Sequence, residues 1–277
     1  MYRQRVSPKA SRPTGGSRGI RLLLALVMIG ISLFSFYSSK EVNTVTGEEQ
    51  YITINKEQEI AIGLQSAPEL AQQFGGLYPD QELQDYIDDI GYHLVENSFA
   101  NNGNYPFEFH LLDDDQTINA FALPGGQVFM TTALYDRLET EDQVAGVIAH
   151  EIMHVIGRHG AQRIAKQELS QGLTGAVVMA SYDPNNPNSQ TSAQVALMIA
   201  NLVNMKYGRE DEIESDVLGV CILYQAGYDP SEMIGVMEIL DEASSGGRPP
   251  EFFSSHPSPD NRIGNIENAL QNLDDCP

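Results

Sequence analysis

The chain has 277 residues, of which 16 are basic and 38 acidic, for a net charge of −22, and it is long enough for one sizeable domain or two small ones with a core. Six of the basic residues (Arg3, Arg5, Lys9, Arg12, Arg18, Arg21) lie before residue 22 and no acid precedes Glu41, so the remainder is more acidic still. That excess argues against nucleic acid as a partner and against adsorption to an anionic membrane surface, since both are polyanions.

Residues 1–19, rich in Ser, Pro, Gly and Arg, read as a basic tail without regular structure. From Leu22 through Ser39 no residue is charged, which is just long enough for a helix to cross a bilayer. With basic residues crowded on its N-terminal side, the positive-inside rule leaves the tail in the cytoplasm and sends everything after Lys40 across. Residues 20–39 therefore read as an uncleaved signal anchor. A cleaved signal peptide is the rival, disfavoured by the large side chains Leu33, Phe36 and Tyr37 where small ones are wanted. Residues 40–52 read as a polar tether, and 53–277 as the folded domain.

A helix is expected from Thr53, with Pro68 as a possible interruption, and a better one from about Asp80 to Asn97, where Leu83, Ile87, Ile90 and Leu94 form an apolar stripe. Phe107 to Leu112 alternates as a strand does. Asn119–Leu123 and Gln127–Thr132 flank the turn Pro124-Gly125-Gly126. These segments predict a small antiparallel sheet ahead of the next helix, so the class is α+β and mostly helical. Its last strand, Gln127–Thr131, is a candidate edge on which an extended peptide could pair, or else an ordinary core hairpin.

Thr140 to Gly157 predicts the central helix, with Thr140 as N-cap and acids in its first turn. It carries His150-Glu151-Ile152-Met153-His154. At 3.6 residues per turn the two imidazoles share a face and can offer nitrogens to one metal, with the carboxylate of Glu151 beside them. A catalytic zinc wants a third protein ligand and an open position. His93, His110 and His159 have no ligand-spaced partner or evident chemical role and read as structural.

The chain continues helically to about Gln171, then gives apolar stretches at 173–180 and 195–203 around a polar loop, Ser181 to Ser192. Each is too short to span a bilayer, so a helical hairpin in the globular part is expected, with the loop as a candidate lid. Arg209 opens a helix in which Glu212 and Asp216 fall together at the edge of the apolar stripe and Glu214 points away. Glu212 is a candidate third ligand and Asp216 a candidate partner for a ligating imidazole; the plain alternative is a solvated acidic first turn. Of the two cysteines, Cys221 sits in an apolar run where a buried free thiol is the commoner fate, so no disulfide to Cys276 is expected.

Together, H-E-I-M-H-V-I-G-R-H (150–159), E-I-E-S-D (212–216), H-P-S-P-D-N-R (256–262) and N-A-F-A-L-P-G-G (119–126) resemble the zinc metallopeptidase family of the HtpX, BepA and CaaX prenyl proteases. The resemblance covers about Thr53 to Leu270. It implies a zincin-like domain with His150, His154 and Glu212 as zinc ligands, Glu151 as catalytic base and Asp216 as a carboxylate orienting a ligand. His256 and Arg262 have two roles open: oxyanion stabilisation by either, or occupation of the metal's open position by His256.

The implied activity is zinc-dependent hydrolysis of internal peptide bonds, with one Zn2+ per chain. Substrates would be misfolded envelope or membrane proteins, cleaved on the non-cytoplasmic, periplasmic side in protein quality control. With one anchor rather than several spans, the chain is closer to the soluble envelope members than to those acting on prenylated substrates. The competing class is a non-enzymatic, zinc-stabilised chaperone-like or scaffold factor, against which Glu151 beside the first ligand argues.

Overall fold

The computed structural model describes residues 16–181, 207–244, 249–257 and 261–277. The chain divides into two compact units, Phe36–Lys166 with Val203–Pro277, and Met1–Ser35 with Gln167–Leu202. The expected lid at 181–192 and the second apolar stretch at 195–203 lie outside the described residues, apart from Ser181.

The larger unit is built around helix α5. α1 (Gly16–Ser38) is followed by a short antiparallel hairpin, β1 (Lys40–Val42) and β2 (Glu49–Tyr51), then by α2 (Lys56–Gln73) and α3 (Gln81–Glu96). α2 runs through Pro68 without ending, and its Asn55 N-cap forms a reciprocal capping box with Gln58. Asp80 caps α3, whose stripe Ile87, Ile90 and Leu94 is buried as the spacing predicts.

Three strands follow: β3 (Glu108–Leu112), β4 (Ala120–Leu123) and β5 (Gln127–Thr131), in the order β3-β5-β4. β4 and β5 pair antiparallel across the turn, where Gly125 and Gly126 adopt φ of 91° and 115°, a region open to glycine at no steric cost. β3 joins parallel to β5. β5 is therefore the central strand, with every residue buried, so of the two readings of Gln127–Thr131 the structure has the core strand and not the edge. A crossover long enough to bring β3 alongside in parallel cannot be seen in the local turn signal. The edge next to α5 is β4.

A one-turn helix α4 (Thr132–Tyr135) leads to α5 (Glu141–Ile156). The Thr140 hydroxyl accepts from Gln143 N, and every residue from Gln143 to Ile156 is buried. Such a helix must be packed all round. α3, the sheet, α7 (Arg209–Ala226) and α8 (Glu232–Ser244) enclose it, and α10 (Arg262–Gln271) covers α7. Gly219 on α7 faces both α5 and α8: a Cβ there would sit 3.6 Å from His150 N and 3.0 Å from Met233 Cε.

The end of α5 is closed by the segment read from sequence as a tether. Asn43 and Gln50, both buried, donate to the carbonyls of Ile156 and Gly157, which have no partner within the helix. Arg158, at φ 56°, turns the chain and pairs with Glu41, with buried Glu59 (2.8 Å from Nε) and with Ile54 O (3.1 Å). Residues 40–52 are thus part of the domain. Asn43→Ala removes one donor to Ile156 O and the acceptor of Val45 N and Thr46 N. It is expected to lower unfolding stability by about 2–3 kcal/mol, readable as a reduced melting temperature.

Cys221 on α7 and Cys276 form a disulfide, their Cα atoms 5.5 Å apart, correcting the free-thiol expectation. The chain end is brought back to α7 by α10, and Gln225 Nε2 donates to Pro277 O at 2.8 Å. Closing a loop of 55 residues constrains the unfolded chain by about 4 kcal/mol in the chain-entropy account.

In the smaller unit, Gln167–Ser181 of α6 (His159–Ser181) groups with α1, so the first apolar stretch belongs with the N-terminal helix, not with the globular core. Within α1, Gly19–Ser38 is long and apolar enough to cross a membrane.

Candidate metal centre

α5 places His150 and His154 one turn apart, and α7 crosses them with Glu212 on its first turn; α9 (Phe252–Ser255) ends at His256 directly opposite. All four are buried, and one donor atom from each forms a group that could hold a metal ion. His256 Nδ1 lies 3.4 Å from His150 Nε2, 3.1 Å from His154 Nε2 and 3.1 Å from Glu212 Oε1. His154 Nε2 is 3.1 Å from His150 Nε2 and 3.4 Å from Glu212 Oε1, and the second Glu212 oxygen is 3.6 Å from His150 Nε2. A regular tetrahedron with bonds of 2.0–2.1 Å has edges of about 3.3–3.4 Å, so the donor set has the size and the N3O chemistry of a four-coordinate zinc site.

The proton inventory agrees. His150 Nδ1 faces Asp216 Oδ1 at 3.0 Å, a short but bent contact, which leaves Nε2 as a bare lone pair. His154 Nδ1 lies 2.8 Å from His159 Nδ1, and His159 Nε2 lies 3.0 Å from Glu214 Oε2. If His159 donates to Glu214, its Nδ1 accepts the His154 Nδ1 proton, and the His154 Nε2 lone pair is also bare. Two bare lone pairs 3.1 Å apart repel each other unless a cation lies between them. Burial holds the His154 pKa well below its usual value, which keeps the ring neutral, the form a metal ligand requires. Glu212 is itself costly to bury, but the facing His256 holds its carboxyl below the usual range.

Asp216 accepts two bonds from Arg262, at 2.6 Å from Nε and 2.8 Å from Nη2, a bidentate pair that keeps it ionised against the cost of burial. Arg262 Nη2 also lies 3.5 Å from Glu212, and its Nη1 is without a partner. Glu151 is fully buried with neither oxygen hydrogen-bonded; His256 Nε2 lies 3.5 Å from Oε1. Burial raises its pKa, as suits a group that must take up a proton. His256 is raised as well: burial opposes this, but the facing carboxylates Glu151 and Glu212 outweigh it.

Every residue singled out from sequence, namely His150, Glu151, His154, Glu212, Asp216, His256 and Arg262, meets in this one cluster. One contact goes beyond the sequence expectation: the left-handed turn at Arg158 swings His159, read as structural, back against His154, and its other ring nitrogen meets Glu214. The offset of five from His154 is no helical neighbour, so spacing gave no signal. Tyr207, also missed, stacks on His154 with centroids 3.9 Å apart, and its hydroxyl donates to Ala122 O on the β4 edge at 3.4 Å. Phe252 N donates to Ile118 O, and Tyr207 N to Ser255 O, so the segment ending at His256 is laced to the strand beside the site. His93 and His110 lie elsewhere, bonded to Ala226 O and Gln127.

The sequence profile described as peptidase family M48 matches residues 81–270. The chain is 32% identical over 268 residues to the beta-barrel assembly-enhancing protease of Escherichia coli (strain K12), an alignment covering 92% of this chain and 52% of that protein. It is 28% identical over 267 residues to the mitochondrial metalloendopeptidase OMA1 of Saccharomyces cerevisiae, covering 90% and 74% respectively. The chain thus spans about half the length of the bacterial relative.

Proposed function

The chain belongs to peptidase family M48, and from that premise we propose that it is a zinc-dependent endopeptidase acting on envelope or membrane proteins in protein quality control. The observation that carries this reading is the convergence of four buried donor atoms at zinc-sized separations beside a buried carboxylate with both oxygens free. In this reading His150, His154 and Glu212 hold the metal. Zinc bound there supplies Lewis acidity, polarising the scissile carbonyl and making water acidic near neutral pH.

Glu151 accepts a proton from the attacking water as its oxygen bonds to the carbonyl carbon. It then delivers that proton to the amine nitrogen as the carbon–nitrogen bond breaks. Asp216, clamped by Arg262, holds the His150 tautomer, and His159 with Glu214 holds that of His154. His256, filling the fourth vertex of the donor set, closes the site in an idle state. Of the two roles left open by the sequence, this one is favoured by the distances of Nδ1 to the other three donors. Arg262, with two nitrogens committed to Asp216, serves chiefly to orient.

We place the catalytic domain on the non-cytoplasmic side of a membrane, held by α1, on the strength of the apolar run and the basic residues before it. The test is direct: the purified full chain in lipid is expected to carry about one zinc per molecule and to cleave an unfolded protein, to stop when a chelator strips the metal, and to resume when zinc returns. A zinc-loaded protein that binds unfolded chains without cutting them would favour the chaperone-like alternative. His159→Phe is expected to weaken zinc affinity by roughly 10- to 100-fold in chelator competition.

A further inference from the structure

α6 carries a feature that peptide hydrolysis does not use. Its last charged residue is Glu168, and from Leu169 to Tyr182 the sequence has none, in a chain where 19% of residues are charged. In the structure this part of α6 packs on α1. A Cβ at Gly172 would lie 2.0 Å from Ser32 Oγ, and one at Gly175 would lie 3.3 Å from Met28 Cε. The contact runs antiparallel, since the α1 number falls as the α6 number rises. Small residues permit the approach: Ala25 on α1 and Ala176 on α6 are buried, while Leu22, Leu23, Leu26 and Ile31 of α1 are exposed.

The depth follows from the contact. Gly19–Ser38 has 20 residues, about 30 Å of helix, which matches the hydrocarbon thickness of a bilayer. Met28 is its tenth residue. A residue packed on Met28 is therefore near the middle of whatever α1 crosses, and that residue is Gly175. Glu168 lies seven residues back along α6, about 10 Å nearer the outer interface, and charge is absent from there inwards. A helix satisfies its own backbone, so α6 can enter lipid without exposing peptide groups, and Ser32 already donates its hydroxyl to Met28 O within α1.

We infer that the C-terminal part of α6, from Leu169 to Ser181, lies in the same lipid bilayer as α1, as the second member of an antiparallel helix pair whose outer faces contact lipid. For the first apolar stretch, a membrane contact beside α1 takes the place of a position inside the globular part. The inference rests on reading α1 as a membrane helix, and the experiment separates the two.

The chain contains no tryptophan, so a single introduced one reports its own surroundings. The full-length variants Leu173→Trp, Thr174→Trp, Leu26→Trp and Tyr92→Trp are reconstituted into phosphatidylcholine vesicles, with and without bromine at mid-chain. Leu173→Trp or Thr174→Trp is expected to emit at short wavelength and to lose most of its fluorescence to brominated lipid, as Leu26→Trp on α1 does. Tyr92→Trp on α3 is expected to be unaffected. Quenching at Leu26 with none at 173 or 174 would overturn the inference and leave the anchor standing. No quenching at Leu26 would overturn the anchor and the inference with it. Two adjacent reporters on α6 keep the result readable if one substitution disturbs folding.

Discussion

Glu151→Gln is expected to leave zinc binding intact and to lower kcat/KM for an unfolded protein substrate by roughly 10²- to 10⁴-fold, the usual contribution of a positioned general base. Glutamine has the same shape and keeps an acceptor oxygen, but it cannot take a proton from water. The Glu151 oxygens make no hydrogen bond and belong to none of the four donor positions, so nothing that holds the metal is lost. Burial already raises the carboxyl pKa, which means that the charged form is held at a cost; removing the charge is expected to leave the melting temperature unchanged or slightly higher. Metal content by elemental analysis and initial rates on the same sample decide the matter. Undiminished cleavage by a zinc-loaded Glu151→Gln protein would remove this residue from the role of base.

His256→Ala is expected to raise proteolysis, by roughly tenfold if the closed arrangement is favoured by about 1.4 kcal/mol over the open one. The imidazole occupies the vertex that a substrate carbonyl or water would need, with Nδ1 within 3.4 Å of the three other donors. It is held there by stacking on Phe252, 4.3 Å between centroids, while the backbone N–H of His256 donates to Phe252 O at 2.8 Å and fixes the residue at the end of α9. Alanine vacates the vertex while His150, His154 and Glu212 remain. Zinc affinity falls with the loss of one donor, so rates are compared at saturating zinc. The visible spectrum of the cobalt-substituted protein is expected to shift as one nitrogen is replaced by solvent. A fall of 10²- to 10³-fold instead would assign His256 to stabilising the oxyanion, the magnitude typical of losing one such donor.

The donor set was legible in the sequence because its parts are local. His150 and His154 are four apart on one helix, and so are Glu212 and Asp216 on another, and helical periodicity alone puts each pair on one face. The order of motifs along the chain, ending in His256 and Arg262, supplied the rest, and all seven residues meet in the structure. The helices α3 and α5 were legible for the same reason, since their caps and apolar stripes lie within a few residues of one another.

Contacts that join distant parts of the chain were not legible. The hairpin of residues 40–52 reads as polar and tether-like, yet Asn43 and Gln50 are buried because α5 ends against them with two unpaired carbonyls. His159 and Glu214 are 55 residues apart and meet only because Arg158 turns left-handed. Cys221 finds Cys276 only once α10 has folded back over α7. β5 becomes central through a parallel partner 19 residues upstream, Glu108 opposite Gln127, and leaves β4 as the edge. The chemistry that can occur at this site was determined by residue type and helical spacing. The means by which the ligands are oriented and the fourth vertex is filled was decided by tertiary packing, because those contacts depend on where whole elements come to rest.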